Sequence, residues 1–216
     1  MRLPGWLENL RRKRAQAADP RTQLRAMREG LALRPEEIDT SKIVPIFVPA
    51  SFFSLGNWPG PSVSLRAREI GLTWTVMLPG QAMRYVDFAM AKHWDGLGID
   101  WKALALGNLA EHSGDKLGSH QLRRANGDVY GVGFMYPDGL GPSRLLLRER
   151  LADFFPGGYQ VALPEMSCGF AFAAGLDGTE TATVRDLVEN CFRNGTRPLA
   201  SGIYEPEDLL PEPEAS

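Results

Sequence analysis

The chain is poor in the residues that most often carry metal and redox chemistry. Its 216 residues include two cysteines and three histidines. Cys168 and Cys191 lie far apart, each in its own apolar pattern, and a chain of this length buries enough surface to fold without a disulfide or a metal. Both cysteines are therefore expected to be ordinary core residues, with a disulfide in a secreted protein as the alternative.

No apolar run in the sequence is long enough to cross a bilayer. The most apolar long segment, residues 43–55, is interrupted by Pro45 and Pro49. It has about 13 residues, whereas a spanning helix needs about 20. The first residues lead into four consecutive cations without the apolar stretch of a secretory signal. These features predict a cytoplasmic protein.

The sequence also lacks the short motifs of common enzyme families. No serine stands in a Gly-x-Ser-x-Gly turn, and the glycine pairs within residues 96–98 and 131–133 are too incomplete for a phosphate-binding loop. His112 and His120 are separated by a helix end and a loop, which is not a metal-ligand spacing. We therefore assign no catalytic residue, no cofactor and no metal from the sequence.

The net charge of −2 conceals two oppositely charged parts. Residues 1–34 hold nine Lys or Arg and three acids, a net charge of +6, which leaves −8 for the rest of the chain. Residues 206–216 are acidic and proline-rich, and they have too little apolar surface to fold independently. We divide the chain into a basic helical arm (1–34), an α+β domain (35–205) and a mostly frayed acidic tail (206–216).

Hydrophobic periodicity and turn residues predict the elements of the α+β domain. Predicted strands cover residues 43–49, 72–78, 117–124, 129–136, 159–163, 170–174 and 199–204, and predicted helices cover residues 87–94, 101–112, 143–155 and 180–194. The prolines in 43–49 favour an edge strand or an extended wrap, and Asn126-Gly127 indicates a hairpin. The pattern is typical of a single α+β domain with a mixed or antiparallel sheet and flanking helices.

Four segments carry a resemblance to a known family. They are residues 85–109, 141–155, 161–173 and 198–205, with Asn108-Leu109 and residues 143–147 as the most particular parts. Together they resemble the YtpQ-like family of uncharacterised bacterial proteins over roughly residues 71–205. The resemblance implies the fold and a bacterial cytosolic setting, and it implies no catalytic residue.

The basic arm is the main candidate for function. An apolar stripe with helical spacing lies directly before a cluster of cations; the residues are Trp6, Leu7, Leu10, Arg11, Arg12, Lys13 and Arg14. The arm would be structural if its helix packed on its own domain, or if its charge only balanced the acidic body. As a functional surface it would contact a partner protein or an anionic membrane. No aromatic residues are interleaved with the cations, which disfavours nucleic acid.

Two further candidates lie in the domain. Ser143 is a candidate N-cap of the predicted helix 143–155, where exposed amides and Arg144 would receive an anion. Trp94 and Trp101 flank a glycine-containing turn and would form a protein-binding patch if exposed, although core packing is the default for tryptophan.

These patterns favour a non-catalytic protein-binding module that acts in the cytoplasm. Peripheral membrane association through the arm is the first alternative, and an enzyme whose site no motif reveals is the second. Histidines gathered with carboxylates in one pocket would favour the enzyme. A large apolar surface without such groups would favour the interaction module.

Overall fold

A computed structural model of the chain describes residue 25, residues 28–114 and residues 118–213. Within these residues the fold is α+β, as expected, with two antiparallel sheets and flanking helices. Residues 28–32 are helical and lead into the first sheet. The candidate contacts at Trp6, Leu7, Leu10 and residues 11–14 lie outside the described residues.

The elements follow one another along the chain as two successive sheets with helices between and after them. The first sheet contains β1 (Ile43–Pro49), β2 (Ser62–Ser64), β3 (Ile70–Met77) and β4 (Met83–Tyr85). The second contains β5 (His120–Arg123), β6 (Val129–Phe134), β7 (Tyr159–Glu165), β8 (Cys168–Ala173) and β9 (Ile203–Tyr204). The helices are α1 (Phe88–Gly96), α2 (Trp101–Ser113), α3 (Arg148–Phe154) and α4 (Gly178–Asn194).

Strand β3 is the centre of the first sheet. It pairs with β1 on one side, and β2 and β4 share its other side. The edge position of β1 confirms the prediction from its prolines, because Pro45 and Pro49 cannot donate to a ladder on both sides. Pro45 lies opposite Trp74, and Val44 lies opposite Thr75.

Both faces of β3 are buried, and they differ in chemistry. Trp74 packs edge-on against Trp101 of α2, with ring centroids 5.1 Å apart. Asp87 and Asp100 accept hydrogen bonds from the first turns of α1 and α2, as helix N-caps do. The opposite face of β3 carries Thr73 and Thr75, which are also buried. One face of β3 therefore packs against α1 and α2, and the other face presents buried threonine side chains to the interior.

The second sheet has the order β5-β6-β8-β7-β9. The hairpin at Asn126-Gly127 joins β5 to β6, which confirms its prediction from the sequence. Helix α4 covers one face of this sheet, where Val184 and Val188 belong to the same core as Phe170 and Phe172. The other face contributes to a core shared with the first sheet and with α3.

The predicted helix over residues 143–155 is wrong in its first half. Residues Pro142–Leu146 form a 3₁₀ turn, and α3 begins only at Arg148. Leu147, with a ψ of 61°, interrupts the helical backbone between them. Ser143, Arg144 and Leu145 are all buried, so the turn is enclosed by its neighbours rather than packed along one stripe. Tertiary packing overrides the leucine periodicity here.

The predicted frayed tail is also wrong for residues 206–213. Pro206–Leu209 forms a 3₁₀ turn in which Leu209 is 4% exposed. The amides of Arg66 and Ala67 donate to carbonyls of this segment, and Glu212 donates back to Ser64. The tail therefore has little apolar surface of its own but completes the core of the domain with Leu209.

Candidate functional site

An open groove lies between α2 and α3, and we call it the helix groove. Its volume is about 1060 Å³. One wall is a single face of α2, formed by Ala103, Leu106, Gly107 and Ala110. The other wall is α3 with the end of the preceding 3₁₀ turn, and Tyr159 and Ala174 also line the groove. The walls are therefore mainly small and apolar.

Helix α2 buries one face against the domain and leaves exposed the face that lines the helix groove. Trp101, Ala105 and Leu109 recur at intervals of four residues and are buried against the domain. Leu106 lies on a different face and is 43% exposed. A Cβ added at Gly107 would meet nothing within 4 Å. This part of α2 therefore faces open space in the described part of the chain.

Charges of both signs border the helix groove. Arg148 pairs with Glu207 at 2.5 Å, and Arg150 donates to the carbonyl of Gly114 at 2.6 Å. Glu149 and Glu205 also line the groove. The border therefore lacks the single-sign charge that would select a polyanion or a polycation.

A second cavity, the inter-sheet cleft, lies where the first sheet meets the loops of the second. Its volume is about 490 Å³. Thr75, Met83 and Tyr85 line it from the first sheet, together with Gln81. Asp138 lines it from the loop after β6, and Ser143 lines it from the 3₁₀ turn. The remaining lining residues come from the end of β7 and from the segment after α4; they are Glu165, Met166, Thr196 and Arg197.

Thr75 is the most unusual residue of the inter-sheet cleft. It is 1% exposed, and its hydroxyl has no hydrogen-bond partner among the described residues. Its neighbour Thr73 is satisfied, because that hydroxyl donates to the carbonyl of Pro61 at 2.9 Å. A buried polar group without a hydrogen-bond partner lowers the free energy of unfolding, and most buried polar groups in native proteins therefore have partners. The Thr75 hydroxyl is an exception.

Gln81, in the turn between β3 and β4, has an unusual backbone conformation. Its φ of +64° places it in the left-handed region, which residues with a Cβ seldom adopt. It is the only residue other than glycine with a positive φ in the described ranges. Backbone strain of this kind concentrates where a side chain must be held in a particular place.

A network around Asp138 closes one side of the inter-sheet cleft. Arg144 donates to Asp138 from both terminal nitrogens, at 3.2 and 2.6 Å, and the amide of Leu140 donates at 2.9 Å. His112 Nε2 lies 3.2 Å from the same carboxylate. Burial alone would raise the pKa of Asp138, but the hydrogen bonds and charge of Arg144 outweigh it, and this pKa lies below its usual range. Asp138 is therefore ionised at neutral pH.

The remaining side chains of the cleft combine a carboxylate, a cation and a phenol. Glu165 is buried and accepts from the amide and the hydroxyl of Ser167, and Thr196 donates to it at 3.3 Å. Burial raises the pKa of the Tyr85 phenol, and the positive charge of Arg197 acts against that rise. Arg197 is thus close enough to Tyr85 for its charge to act across the cleft.

The sequence-predicted anion site at Ser143 and Arg144 is not formed. Ser143 is 2% exposed within the 3₁₀ turn and caps no helix. Arg144 is 4% exposed, pairs with Asp138 and lies 4.1 Å from the ring centre of Tyr136. Its charge is already balanced by a protein carboxylate, so it is not open to an external anion. The fault in the prediction was the assumed start of the helix.

The structure buries the tryptophan candidates in the core and places the three histidines on separate elements. Trp94 and Trp101 are each 2% exposed, so they are core residues, which confirms the default expectation and excludes the alternative of an exposed patch. His112 meets Asp138, whereas His93 lies on α1 and His120 on β5. Among the described residues no three metal-binding side chains form a group that could hold an ion, and no helix is long and apolar enough to span a membrane.

Sequence reasoning did not single out Thr75, Gln81 or Arg197. They belong to no motif and lie far apart along the chain. One local signal was available: Thr73 and Thr75 alternate with Trp74 and Val76 in a strand, which places two hydroxyls on one face. The alternation alone does not show whether the threonine face is buried. The structure shows that both faces of β3 are covered, so the two hydroxyls point into the interior.

Comparison of the chain with models of protein families, with curated proteins and with solved structures gave no match.

Proposed function

We propose that the protein is a non-catalytic binding module that takes an amphipathic helix of a partner protein in the helix groove. The observation that carries this proposal is the outward face of α2, where Leu106 is 43% exposed and Gly107 borders open space. A bacterial cytoplasmic setting and membership of the YtpQ-like family belong to the same proposal and rest on the sequence.

The shape of the α2 wall favours a helical partner. Ala103, Gly107 and Ala110 are spaced so that three small residues follow one another along a single helix face. Small residues let a second helix approach closely, and Leu106 beside them supplies an apolar contact for it. Amphipathic helices dock in such grooves through apolar residues spaced three, four and seven apart.

The openness and the charges of the helix groove favour a protein over a small molecule. Its volume of about 1060 Å³ is at the upper end of the usual range of small-molecule pockets, about 300–1,000 Å³, but its α2 wall is exposed at Leu106, whereas small-molecule sites enclose most of their ligand. Its border carries Arg148 and Arg150 beside Glu149 and Glu207. We therefore expect a partner helix whose apolar stripe is flanked by charged residues of both signs.

The proposal is tested with a substitution on the α2 wall whose side chain fills the helix groove. A phage-displayed library of amphipathic helical peptides is selected on the full chain, and the selected peptides are titrated against Gly107→Trp. The indole would occupy the groove and weaken binding by about tenfold or more. The variant should fold, because the added Cβ meets no protein atom within 4 Å, the indole extends into the open groove, and glycine is a poor residue inside a helix.

Gly96→Trp is the matched control. Gly96 ends α1, does not line the helix groove and also borders open space. The same peptides should bind this variant within about twofold of the unaltered protein. The proposal is wrong if the selection yields no helical peptide, or if both tryptophan variants bind the selected peptides equally well.

Association with an anionic membrane is a second candidate function. It is favoured by the apolar stripe at Trp6, Leu7 and Leu10 next to the cations at 11–14. A helix of this composition lies in the interface with its cations toward anionic head groups.

A further inference from the structure

We propose that the inter-sheet cleft is a binding site for a free α-amino acid with an apolar side chain. This site is separate from the helix groove, and neither proposal depends on the other. Three observations carry it: an unpartnered buried hydroxyl, charges of both signs on the walls, and a cavity of suitable size with apolar residues on part of its wall.

The hydroxyl of Thr75 indicates that the cleft is made for a ligand. The backbone of Thr75 is paired on both sides, with Val44 of β1 and Tyr85 of β4, so this residue lines the cleft with its side chain. A valine would fill the same volume without a polar atom. A threonine that is 1% exposed and has no partner in the described chain therefore has its hydroxyl available for a bound molecule.

The charges of the cleft suit a molecule that carries both an ammonium and a carboxylate. Glu165 brings a carboxylate to the walls, and Arg197 is an exposed cation of the same cavity. Asp138 also lines the cleft, but its charge is balanced by Arg144. A ligand ammonium is favoured near Glu165, and a ligand carboxylate is favoured near the planar donors of Arg197. A simple anion would meet Glu165, and a simple cation would meet Arg197.

The rest of the wall suits an apolar side chain. Ile46, Met83, Tyr85 and Met166 line the cleft, and a volume of about 490 Å³ is within the usual range for small ligands. Methionine adapts its shape to differing apolar groups, so the pocket is suited to leucine, methionine and phenylalanine alike. The strained backbone at Gln81 holds an amide side chain at the same cavity.

Calorimetric titration of the full-length protein with L-leucine, L-methionine and L-phenylalanine tests the proposal. At least one of them should bind saturably. The leucine analogues 3-methylbutylamine and 4-methylpentanoate each lack one charged group, and both should bind at least about tenfold more weakly than leucine. Failure of all three amino acids to bind, or equal binding by either analogue, would overturn the proposal.

Two variants assign the binding to this cleft. Thr75→Val should weaken binding about tenfold while raising the Tm by a few degrees, because it removes a buried hydroxyl that lacks a partner in the free protein. Arg197→Met should also weaken binding about tenfold. Arg193→Met is the control, because Arg193 lies on α4 in an ion pair with Glu189 and does not line the cleft. Unchanged affinity in both Thr75→Val and Arg197→Met would show that the amino acid binds elsewhere.

Discussion

At the scale of single residues, the pair of Arg144 and Asp138 shows how position decides the role of a charge. The Arg144 side chain is 4% exposed, whereas that of Asp138 is 23% exposed. Water therefore reaches the carboxylate but hardly reaches the guanidinium. The pair joins the loop after β6 to the 3₁₀ turn, and it makes Arg144 a structural residue rather than an anion receptor.

Replacing Asp138 by asparagine tests this reading. Asp138→Asn leaves the buried guanidinium without its counter-ion, and breaking a buried pair in this way costs about 3–5 kcal/mol. Partial exposure of Asp138 reduces that figure, so we expect a loss of about 2 kcal/mol in the free energy of unfolding. Urea denaturation measures it. A loss no larger than that of Glu189→Gln, whose ion pair with Arg193 is exposed, would contradict the prediction.

The same carboxylate predicts an acid dependence of stability. Because Arg144 keeps the pKa of Asp138 below its usual range in the folded protein, the unfolded chain binds the proton at a higher pH. The stability that Asp138 contributes is therefore complete above its unfolded pKa and is lost as the pH falls through the folded pKa. Urea midpoints measured from neutral pH down to about pH 3 should fall more steeply for the unaltered protein than for Asp138→Asn. Parallel curves would contradict the prediction.

Gly141 is predicted to be intolerant of any side chain. Every residue type can adopt its φ of −49°, so the backbone conformation does not require glycine. Glycine is required because neighbouring carbonyl oxygens lie too close to leave room for a Cβ. An added Cβ would lie 2.1 Å from the carbonyl oxygen of Phe134 and 2.8 Å from that of Ser167. Gly141→Ala should lower the free energy of unfolding by about 3 kcal/mol in urea denaturation. Gly157→Ala, with nothing within 4 Å of the new atom, is the control and should change stability by less than about 0.5 kcal/mol.

At the scale of elements, local chemistry predicted most helices and strands. The caps at Asp87 and Asp100, the turn at Asn126-Gly127 and the apolar stripe of α4 are signals that act within a few residues. They specify the same structure in the folded chain, because tertiary packing agrees with them. The 3₁₀ turn at Pro142–Leu146 was missed because contacts outside the segment, with Asp138 of the preceding loop and with Gly169 of β8, determine its path.

The tail was misjudged because composition counts apolar residues but not their contacts. Leu209 is one of two leucines in an acidic segment, and it is 4% exposed in the shared core. Leu209→Ala should therefore lower the free energy of unfolding by about 2–4 kcal/mol, as truncations of buried leucines do. Denaturation in urea measures this loss. Leu97→Ala, at a position 63% exposed, should leave stability nearly unchanged, and similar losses in the two variants would contradict the packing of the tail.

At the scale of the whole molecule, the sequence predicted the class of fold but neither cavity. The inter-sheet cleft gathers Thr75, Asp138, Glu165 and Arg197 from four separate segments. No local pattern specifies such a meeting, because it follows from how the two sheets pack. The helix groove was nearer to prediction, since the stripe of Trp101, Ala105 and Leu109 implied that α2 has another face.

The opposite charges of the two ends of the sequence predict how the whole protein behaves at a membrane. Residues 1–34 carry +6 and the rest carries −8, so an anionic surface should attract the arm and repel the body. Each cation near such a surface contributes about 1 kcal/mol. Replacing Arg11, Arg12, Lys13 and Arg14 by glutamine should therefore weaken binding to vesicles containing about 30% phosphatidylserine by at least about 100-fold.

Co-sedimentation of the full-length protein with these vesicles measures the effect, and pure phosphatidylcholine vesicles show how much binding needs anionic lipid. Binding through the arm should also weaken as salt rises from about 0.05 to 0.5 M, because the Debye length shortens several-fold. A control variant, Arg68→Gln with Arg193→Gln, removes two exposed cations of the body and should bind like the unaltered protein. Binding that is independent of anionic lipid would exclude the membrane function and leave the helix groove as the proposed interaction surface.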